Sequence, residues 1–587
     1  MSSRKKRHAP TDWQKRALAD LREAAAEQPD VLRLVGIPAR GQNGALRVTL
    51  RLHTGHLSTA DGGLALEEHE DFDLTLPASP LSATTVEVTH WRFAGYPHVL
   101  QGRQLCIFLD PAREWDPLRG GMRAYLNRLW SWLGDASAGH FDASKAMYHA
   151  VGGVLHRTSG TPTLVVRIPG PDKRIQTGYL IARTEHRMDL VYSPPPEGGA
   201  VRVPVVTVAG ALPLGGGSTL TELLTYLDNP PFDHQRKSSS QAVAQSPAIL
   251  TTLAASAVRN PDGSPQYLIL AVPHPAGGPP HLLGTRLPAP AADALRRMVH
   301  EQGSALDINA SHIRSDLLIE WCPVSDERPA VTTRRDAGSP IGGFFGKHVH
   351  VWGCGGLGSW IAEFVVRAGA SQVTVCDPGS VTGGLLVRQN YVEADVGASK
   401  AQALARRLRA VDDTVAIHVH GGALPDAAAL GTAEVIIDAT VSIAVGHVLG
   451  SLAASEVPHP VLAQVATDTR TGTLGLLSVS APTTAQGPSS IDTAAGQIVL
   501  ADPALELYHR LWQGNSDGDE LVPTRGCSVP TFHGSSADLA AVAGTLTSFL
   551  GMHLITPGSG THLVALPHAA GSPHHRFLPH DPTPSAA

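Results

Sequence analysis

The stretch HVHVWGCGGLGSW, His348–Trp360, decides the fold. His348–Trp352 reads as an apolar strand, and the glycines that follow it, Gly353, Gly355, Gly356 and Gly358, contain the spacing GxGxxG. Leu357, Ile361, Phe364, Val365 and Ala368 then recur at helical spacing and give the next segment one buried face. Strand, glycine turn and helix in that order form a phosphate-binding βα unit. The glycines admit close backbone approach, while free amide groups and the positive helix end stabilise phosphate oxygens. A second strand, Val373–Cys376, ends in Asp377, nineteen residues beyond Gly358, where a carboxylate can meet ribose hydroxyls. Up to this point NAD and ATP are equally suited.

The next segment separates the two cofactors. Arg388, Gln389 and Lys400 follow the second strand, and a later strand, Val435–Ile437, ends in Asp438. Fixed cations and a carboxylate able to hold Mg²⁺ suit α-phosphate chemistry, where charge builds on oxygen; hydride transfer needs neither. On these motifs, residues 345–450 resemble the ThiF, MoeB and ubiquitin-activating (E1-type) adenylation family. The resemblance implies a Rossmann-like α/β adenylation domain that uses ATP and Mg²⁺ to adenylate the C-terminal glycine of a ubiquitin-fold protein. It also implies roles: Asp377 on ribose, Arg388, Gln389 and Lys400 on the phosphates, and Asp438 on Mg²⁺. Leu385 departs from the pattern, standing where the family has Asn. Members of the family usually dimerise through this domain, so a homodimer is expected.

Two of the five cysteines sit in settings that suit acyl transfer. Cys527 lies in a polar turn, TRGCSVPTFHG, before a helix with Leu539, Val542, Leu546, Phe549 and Leu550 on one side. A polar setting permits thiolate formation, and the segment resembles the crossover-loop cysteine of activating enzymes, which takes the acyl group from AMP. Cys106 lies in YPHVLQGRQLCIFLDPAREWDP, preceded by Pro97 and followed by Trp115-Asp116-Pro117. That pattern resembles the active-site stretch of ubiquitin-conjugating (E2-type) enzymes, with His98 where the family has the oxyanion-stabilising Asn. A His N–H can do the same electrostatic work, or the ring can act as a base. Cys322, Cys354 and Cys376 read as structural. The His348/His350 pair reads as core strand, and the 29 histidines form no cluster with metal-ligand spacing.

The whole chain of 587 residues holds several domains. Residues 11–27 begin with a Thr11/Gln14 capping box. Alternating runs at 46–52, 72–76 and 86–93 predict an antiparallel meander, and Met122, Leu126, Leu129, Trp130 and Leu133 form a helical stripe. The helix, meander and helix fit the order that the E2-type resemblance implies, so residues 11–155 are expected to form an α+β ubiquitin-conjugating (UBC-like) domain; 156–335 reads as a linker domain of mixed structure, 340–570 as the adenylation domain with its cysteine segment that the E1-type resemblance implies, and 571–587 as a disordered tail. A net charge of −6 lacks the basic excess that nucleic acid demands. Odd cysteines without a CxxC pair fit a reducing cytoplasm. The apolar run 435–454 is interrupted by Asp438 and His447, which excludes a membrane span there.

The layout resembles bacterial activating/conjugating fusion enzymes, notably those of CBASS anti-phage operons. The implied donor is a ubiquitin-like protein or a cGAS-like nucleotidyltransferase ending in glycine, and the implied acceptor is a target lysine. Three rivals stay open: a sulfur-carrier activating enzyme, which needs Cys527 but not Cys106; an NAD-dependent oxidoreductase, which needs Asp377 but not Arg388, Lys400 or Asp438; and a scaffold that has lost its chemistry.

Overall fold

The computed structural model describes residues 9–580 apart from 42–43, 91, 94–95, 97, 100–103, 109, 142–157, 197, 209–216, 229–243, 274–278, 333–335, 337, 421–429, 431, 441, 456–457, 469–470 and 514–533. The chain divides into two compact units, residues 1–333 and 334–587.

The first unit opens with α1 (Asp12–Glu27), capped reciprocally by the Thr11 and Gln14 side chains. Four antiparallel strands follow in sequence order: β1 (Leu32–Arg40), β2 (Leu46–His53), β3 (His69–Leu76) and β4 (Thr85–Val88). Strict alternation buries Leu46, Val48, Leu50 and Leu52 of β2 against Phe72, Leu74 and Leu76 of β3, all on the helix-covered face. α2 (Gly121–Ser137) closes this core through Met122, Tyr125, Leu129, Trp132, Leu133 and Ala136. The expected stripe is thus shifted: Met122, Leu129 and Leu133 are buried as expected, Leu126 and Trp130 are only half-buried, and Tyr125, Trp132 and Ala136 take their places in the core.

The same unit contains a second sheet, of β5 (Thr163–Val166), β6 (Ile175–Thr184), β7 (Arg187–Val191), β8 (Val201–Thr207), β9 (Gln266–Val272), β10 (His281–Leu287), β11 (Glu320–Cys322) and β12 (Val324–Asp326). Its order is β11-β10-β9-β8-β6-β7-β5-β12, with parallel and antiparallel pairs mixed. β9 is buried along its whole length because apolar clusters cover both faces. One of those clusters is built by α3 (Leu220–Asp228), α4 (Ser246–Ala257) and α5 (Ala289–Gln302).

The second unit is an eight-stranded sheet of β13 (His348–Trp352), β14 (Gln372–Cys376), β15 (Ala416–His420), β16 (Val435–Asp438), β17 (Val461–Thr467), β18 (Leu474–Ser480), β19 (Gly560–Ala565) and β20 (His574–Pro579). The order is β15-β14-β13-β16-β17-β18-β19-β20, parallel from β15 to β17 and antiparallel beyond. The chain steps outward from β13 through β14 to β15, then returns to place β16 on the other side of β13. That reversal opens a crevice at the carboxyl ends of the strands. α6 (Gly358–Arg367), α7 (Lys400–Val411) and α10 (Ser536–Ile555) cover one face; α8 (Ile443–Ser455) and α9 (Pro488–Ala501) cover the other. α10 is long and apolar enough to cross a membrane, yet Leu539, Val542, Leu546 and Leu550 are spent on the sheet core.

The expected disordered tail from 571 is corrected. Residues 574–579 form β20, paired in register with β19, and Leu578 joins the core cluster beneath α9. Proline and histidine masked an edge strand whose apolar pair, Phe577 and Leu578, reaches back to the sheet. Deleting residues 572–587 is expected to lower the melting temperature of this unit by about 5 °C, since burial of one Leu is worth about 1.5–3 kcal/mol. Scanning calorimetry checks this; an unchanged transition would mean the strand contributes nothing.

Candidate functional site

The crevice begins at the glycine turn. Gly353 has φ +85°, and its N–H bonds the Cys376 carbonyl at 2.8 Å. A Cβ on Gly358 would lie 1.8 Å from the Gly353 carbonyl oxygen, and one on Gly353 would lie 2.8 Å from the Ala439 carbonyl, so both positions require glycine. Gly356 is buried within the turn. Gly355 differs: a Cβ there meets nothing within 4 Å, so its neighbourhood is open. No side chain caps the start of α6, whose Ser359 and Trp360 N–H groups bond the Gly355 and Leu357 carbonyls, each at 3.1 Å.

Asp377, at the end of β14, accepts the Cys354 N–H and the Gly379 N–H, each at 2.7 Å. This carboxylate therefore locks the glycine turn to the loop after β14. Lys400, the first residue of α7, is 7% exposed; its backbone N–H bonds the Gly379 carbonyl at 2.9 Å, and its ammonium acts on the same buried Cys354 thiol as Asp377 does. Leu385 is buried, and its carbonyl receives the Arg388 and Gln389 N–H groups. Arg388 and Gln389 are themselves buried; burial lowers the Arg388 guanidinium below its ordinary range, and the Gln389 Oε1 has no hydrogen-bond partner. Trp360 Nε1 reaches the Arg388 carbonyl at 3.4 Å, so this loop lies against the start of α6.

Asp438 ends β16 directly opposite Trp352 and is 1% exposed. Its Oδ1 accepts both the N–H and hydroxyl of Thr440, at 2.8 and 2.6 Å. Its Oδ2 is buried without a partner, and burial pushes the carboxyl up despite the Thr440 bonds. Such an oxygen is costly to leave bare and is suited to a cation brought in with phosphates. Among the described residues no group of three or more His, Cys, Asp or Glu could hold a metal ion by itself. The structure thus brings Gly353, Gly355, Gly356, Gly358, Asp377, Arg388, Gln389, Lys400 and Asp438 to one end of one sheet.

The sequence reading missed Ser359, Glu363, Asn390, Tyr391 and Thr440. Tyr391 donates to the Cys354 carbonyl at 2.7 Å, and Asn390 joins Glu363 at 2.6 Å. Thr440 alone left a signal: a hydroxyl two residues after an Asp is the usual partner of its carboxylate in a turn.

In the first unit His98 and Cys106 line one cavity of about 150 Å³ with Arg128, Trp132, Asp135 and Phe141. The Cys106 N–H bonds the His98 carbonyl at 2.8 Å, and its Sγ faces the Phe108 carbonyl at 3.3 Å. His98 is the only non-glycine among the described residues with a left-handed backbone, φ +63°. Strain of that kind gathers at functional sites. Burial lowers the His98 ring below its ordinary range; burial, with the Glu114 charge, raises the Cys106 thiol. Cys322, Cys354 and Cys376 are buried, and burial pushes the Cys322 thiol up to about 12. Cys527 and Pro97 lie outside the described residues.

Residues 345–556 match the ThiF family. That span takes in the glycine turn, Asp377, Arg388, Lys400 and Asp438, so this unit carries a ThiF-family domain of the kind that activates a substrate with ATP. Residues 199–327 match the Cap2 central linker domain, inside the mixed sheet of the first unit. A search of curated proteins returns no match. Solved structures with similarity include E. coli MccB with AMPCPP and selenomethionine MccA, at 12% identity over 42% of this chain and 68% of that one, TM-score 0.29. MccB with ATP gives 11% over 42% and 68%, TM-score 0.28; selenomethionine PaaA gives 18% over 41% and 75%, TM-score 0.29.

Two glycine variants separate ligand space from packing. Gly355→Ala is expected to change stability by less than about 1 kcal/mol while weakening ATP binding at least about tenfold. Gly358→Ala is expected to cost more than about 2 kcal/mol by overpacking. Thermal melts and calorimetric titration with Mg·ATP check both. For Cys106 the raised thiol predicts alkylation by iodoacetamide that rises about tenfold per pH unit through pH 8–9 and shows no plateau below 9. Peptide mass spectrometry reads the rate, and a plateau below pH 8 would contradict the buried, neutral thiol.

Proposed function

We propose that the protein activates the C-terminal glycine of a protein donor by adenylation, carries it as a thioester on Cys527 and then Cys106, and conjugates it to a target lysine. One observation carries the reading: the partnerless Asp438 Oδ2 lies at the same strand ends as the open approach to Gly355 and the buried Lys400. Asp377, whose two oxygens already hold the turn, keeps lone pairs for ribose hydroxyls. Arg388, Gln389 and Lys400 serve the phosphates and Asp438 a Mg²⁺, which when bound would offset charge on phosphate oxygen.

In the first step a donor carboxylate oxygen bonds to the α-phosphorus as the α–β bridge breaks and pyrophosphate leaves. The Cys527 thiolate then attacks the acyl carbon and AMP leaves. Ser536, nine residues after Cys527, donates its N–H to the Val387 carbonyl beside Arg388. Cys106 next takes the acyl group and releases the Cys527 sulfur; a lysine amine displaces Cys106 to form the amide. His98, kept neutral by burial, can donate an N–H to the oxyanion of that last step. A bacterial anti-phage setting in the cytoplasm, with a ubiquitin-like protein or cGAS-like nucleotidyltransferase as donor, belongs to the same proposal and rests on the resemblance to activating/conjugating fusion enzymes. A homodimer through the adenylation domain belongs to the same proposal.

Exchange of labelled pyrophosphate into ATP, dependent on a donor ending in glycine, is the expected result; NAD binding without exchange would replace the reading with an oxidoreductase. On non-reducing gels Cys106→Ala is expected to retain a donor adduct on Cys527, and Cys527→Ala to abolish adducts on both. An adduct on Cys106 in the Cys527→Ala chain would reverse the relay.

A further inference from the structure

We infer that Glu363, acting through Asn390 and Arg407, is a positioning residue that holds the Arg388–Gln389 loop and the Lys400 helix onto the helix of the glycine turn. The inference rests on the nucleotide reading above and deepens it. Glu363 is 5% exposed on α6, one turn beyond Ser359. Its Oε1 accepts Arg367 at 2.9 and 2.7 Å; its Oε2 accepts Asn390 Nδ2 and Arg407 Nε, both at 2.6 Å. Arg407 belongs to α7, which starts with Lys400, and Asn390 directly follows Arg388 and Gln389. One carboxylate thus joins the three elements that bear every candidate phosphate contact.

The loop needs such an anchor, because no strand or helix runs through residues 386–392. Asn390 adds a second tie: its N–H bonds Ser359 Oγ at 3.1 Å, and that hydroxyl donates to the Gly355 carbonyl at 2.7 Å. A carboxylate taken out of water is tolerated only when its partners are fixed, and here the donors, although burial opposes the charge, hold the Glu363 carboxyl below its ordinary range. Arg367 is the solvent-facing partner, its side chain 58% exposed.

The test uses the full chain and Mg·ATP as probe, with two readouts: calorimetric Kd and amide hydrogen exchange of residues 386–391 without nucleotide. Asn390→Ala and Glu363→Ala are each expected to weaken Kd about tenfold or more and to speed exchange, as small misplacements of contacting groups do. Glu363→Gln, which keeps the acceptor for Asn390, is expected to recover most of the loss, and Arg367→Ala to stay within about twofold of the unaltered chain. If Glu363→Ala fails to fold, Asn390→Ala, which leaves both arginine pairs, decides alone. Unaltered Kd and exchange in Asn390→Ala would overturn the inference, as would equal losses in Asn390→Ala and Arg367→Ala. Absence of Mg·ATP binding by the unaltered chain would instead remove the nucleotide reading, and this inference with it.

Discussion

The C-terminal unit depends on a contact that leaves no room for a side chain, the approach of Gly358 to the Gly353 carbonyl. With a Cβ position only 1.8 Å from that oxygen, the chain can leave β13 and enter α6 only through glycine. The Asp377 carboxylate then fastens the turn from outside, through the Cys354 and Gly379 amides. Once the turn is fixed, the start of α6 has a set direction and carries no capping side chain. Parallel pairing sets the rest: Trp352 lies level with Cys376 on one side and Asp438 on the other, so residues just past three strands converge.

Convergence places polar groups where burial is expensive. Asp438, Lys400, Arg388 and Gln389 are all nearly inaccessible beside a core cluster built mainly of Val, Leu, Ile and Ala. An unpaired buried carboxylate oxygen and a buried amide oxygen persist because the structure around them over-determines their positions, the usual condition for a site kept ready for a ligand. The Cys106 cavity obeys a different logic. Its thiol is discouraged from ionising by burial and by Glu114, and burial lowers its neighbour His98 below the ordinary imidazole range. A thiol of that kind resists oxidation, to which a low-pKa thiol would be open.

Much of this was legible in particular residues. The glycine spacing, Asp377 and the strand ending at Asp438 follow from local rules of backbone space and burial, and the helix and meander of the first 100 residues follow from alternation and a capping box. What stayed hidden depends on the third dimension. Glu363 looks like an ordinary helix-surface charge until the fold brings Asn390 and Arg407 to it from 27 and 44 residues away. β1, with Gly36 at φ +73° and a shifted register between Val35 and Ala39, lacks the alternation that marks β2 and β3. β20 carries prolines and histidines whose strand state is set by pairing with β19 rather than by propensity.

The central claim is that a nucleotide occupies the crevice at the ends of β13, β14 and β16. A crystal structure of the full chain with Mg²⁺ and a non-hydrolysable ATP analogue tests it most directly. The account predicts phosphate density over Gly355, the ribose at Asp377, and the metal within direct coordination distance of Asp438 Oδ2, at about 2.1 Å. Density for the analogue elsewhere, or a metal that leaves Asp438 Oδ2 untouched, would contradict it.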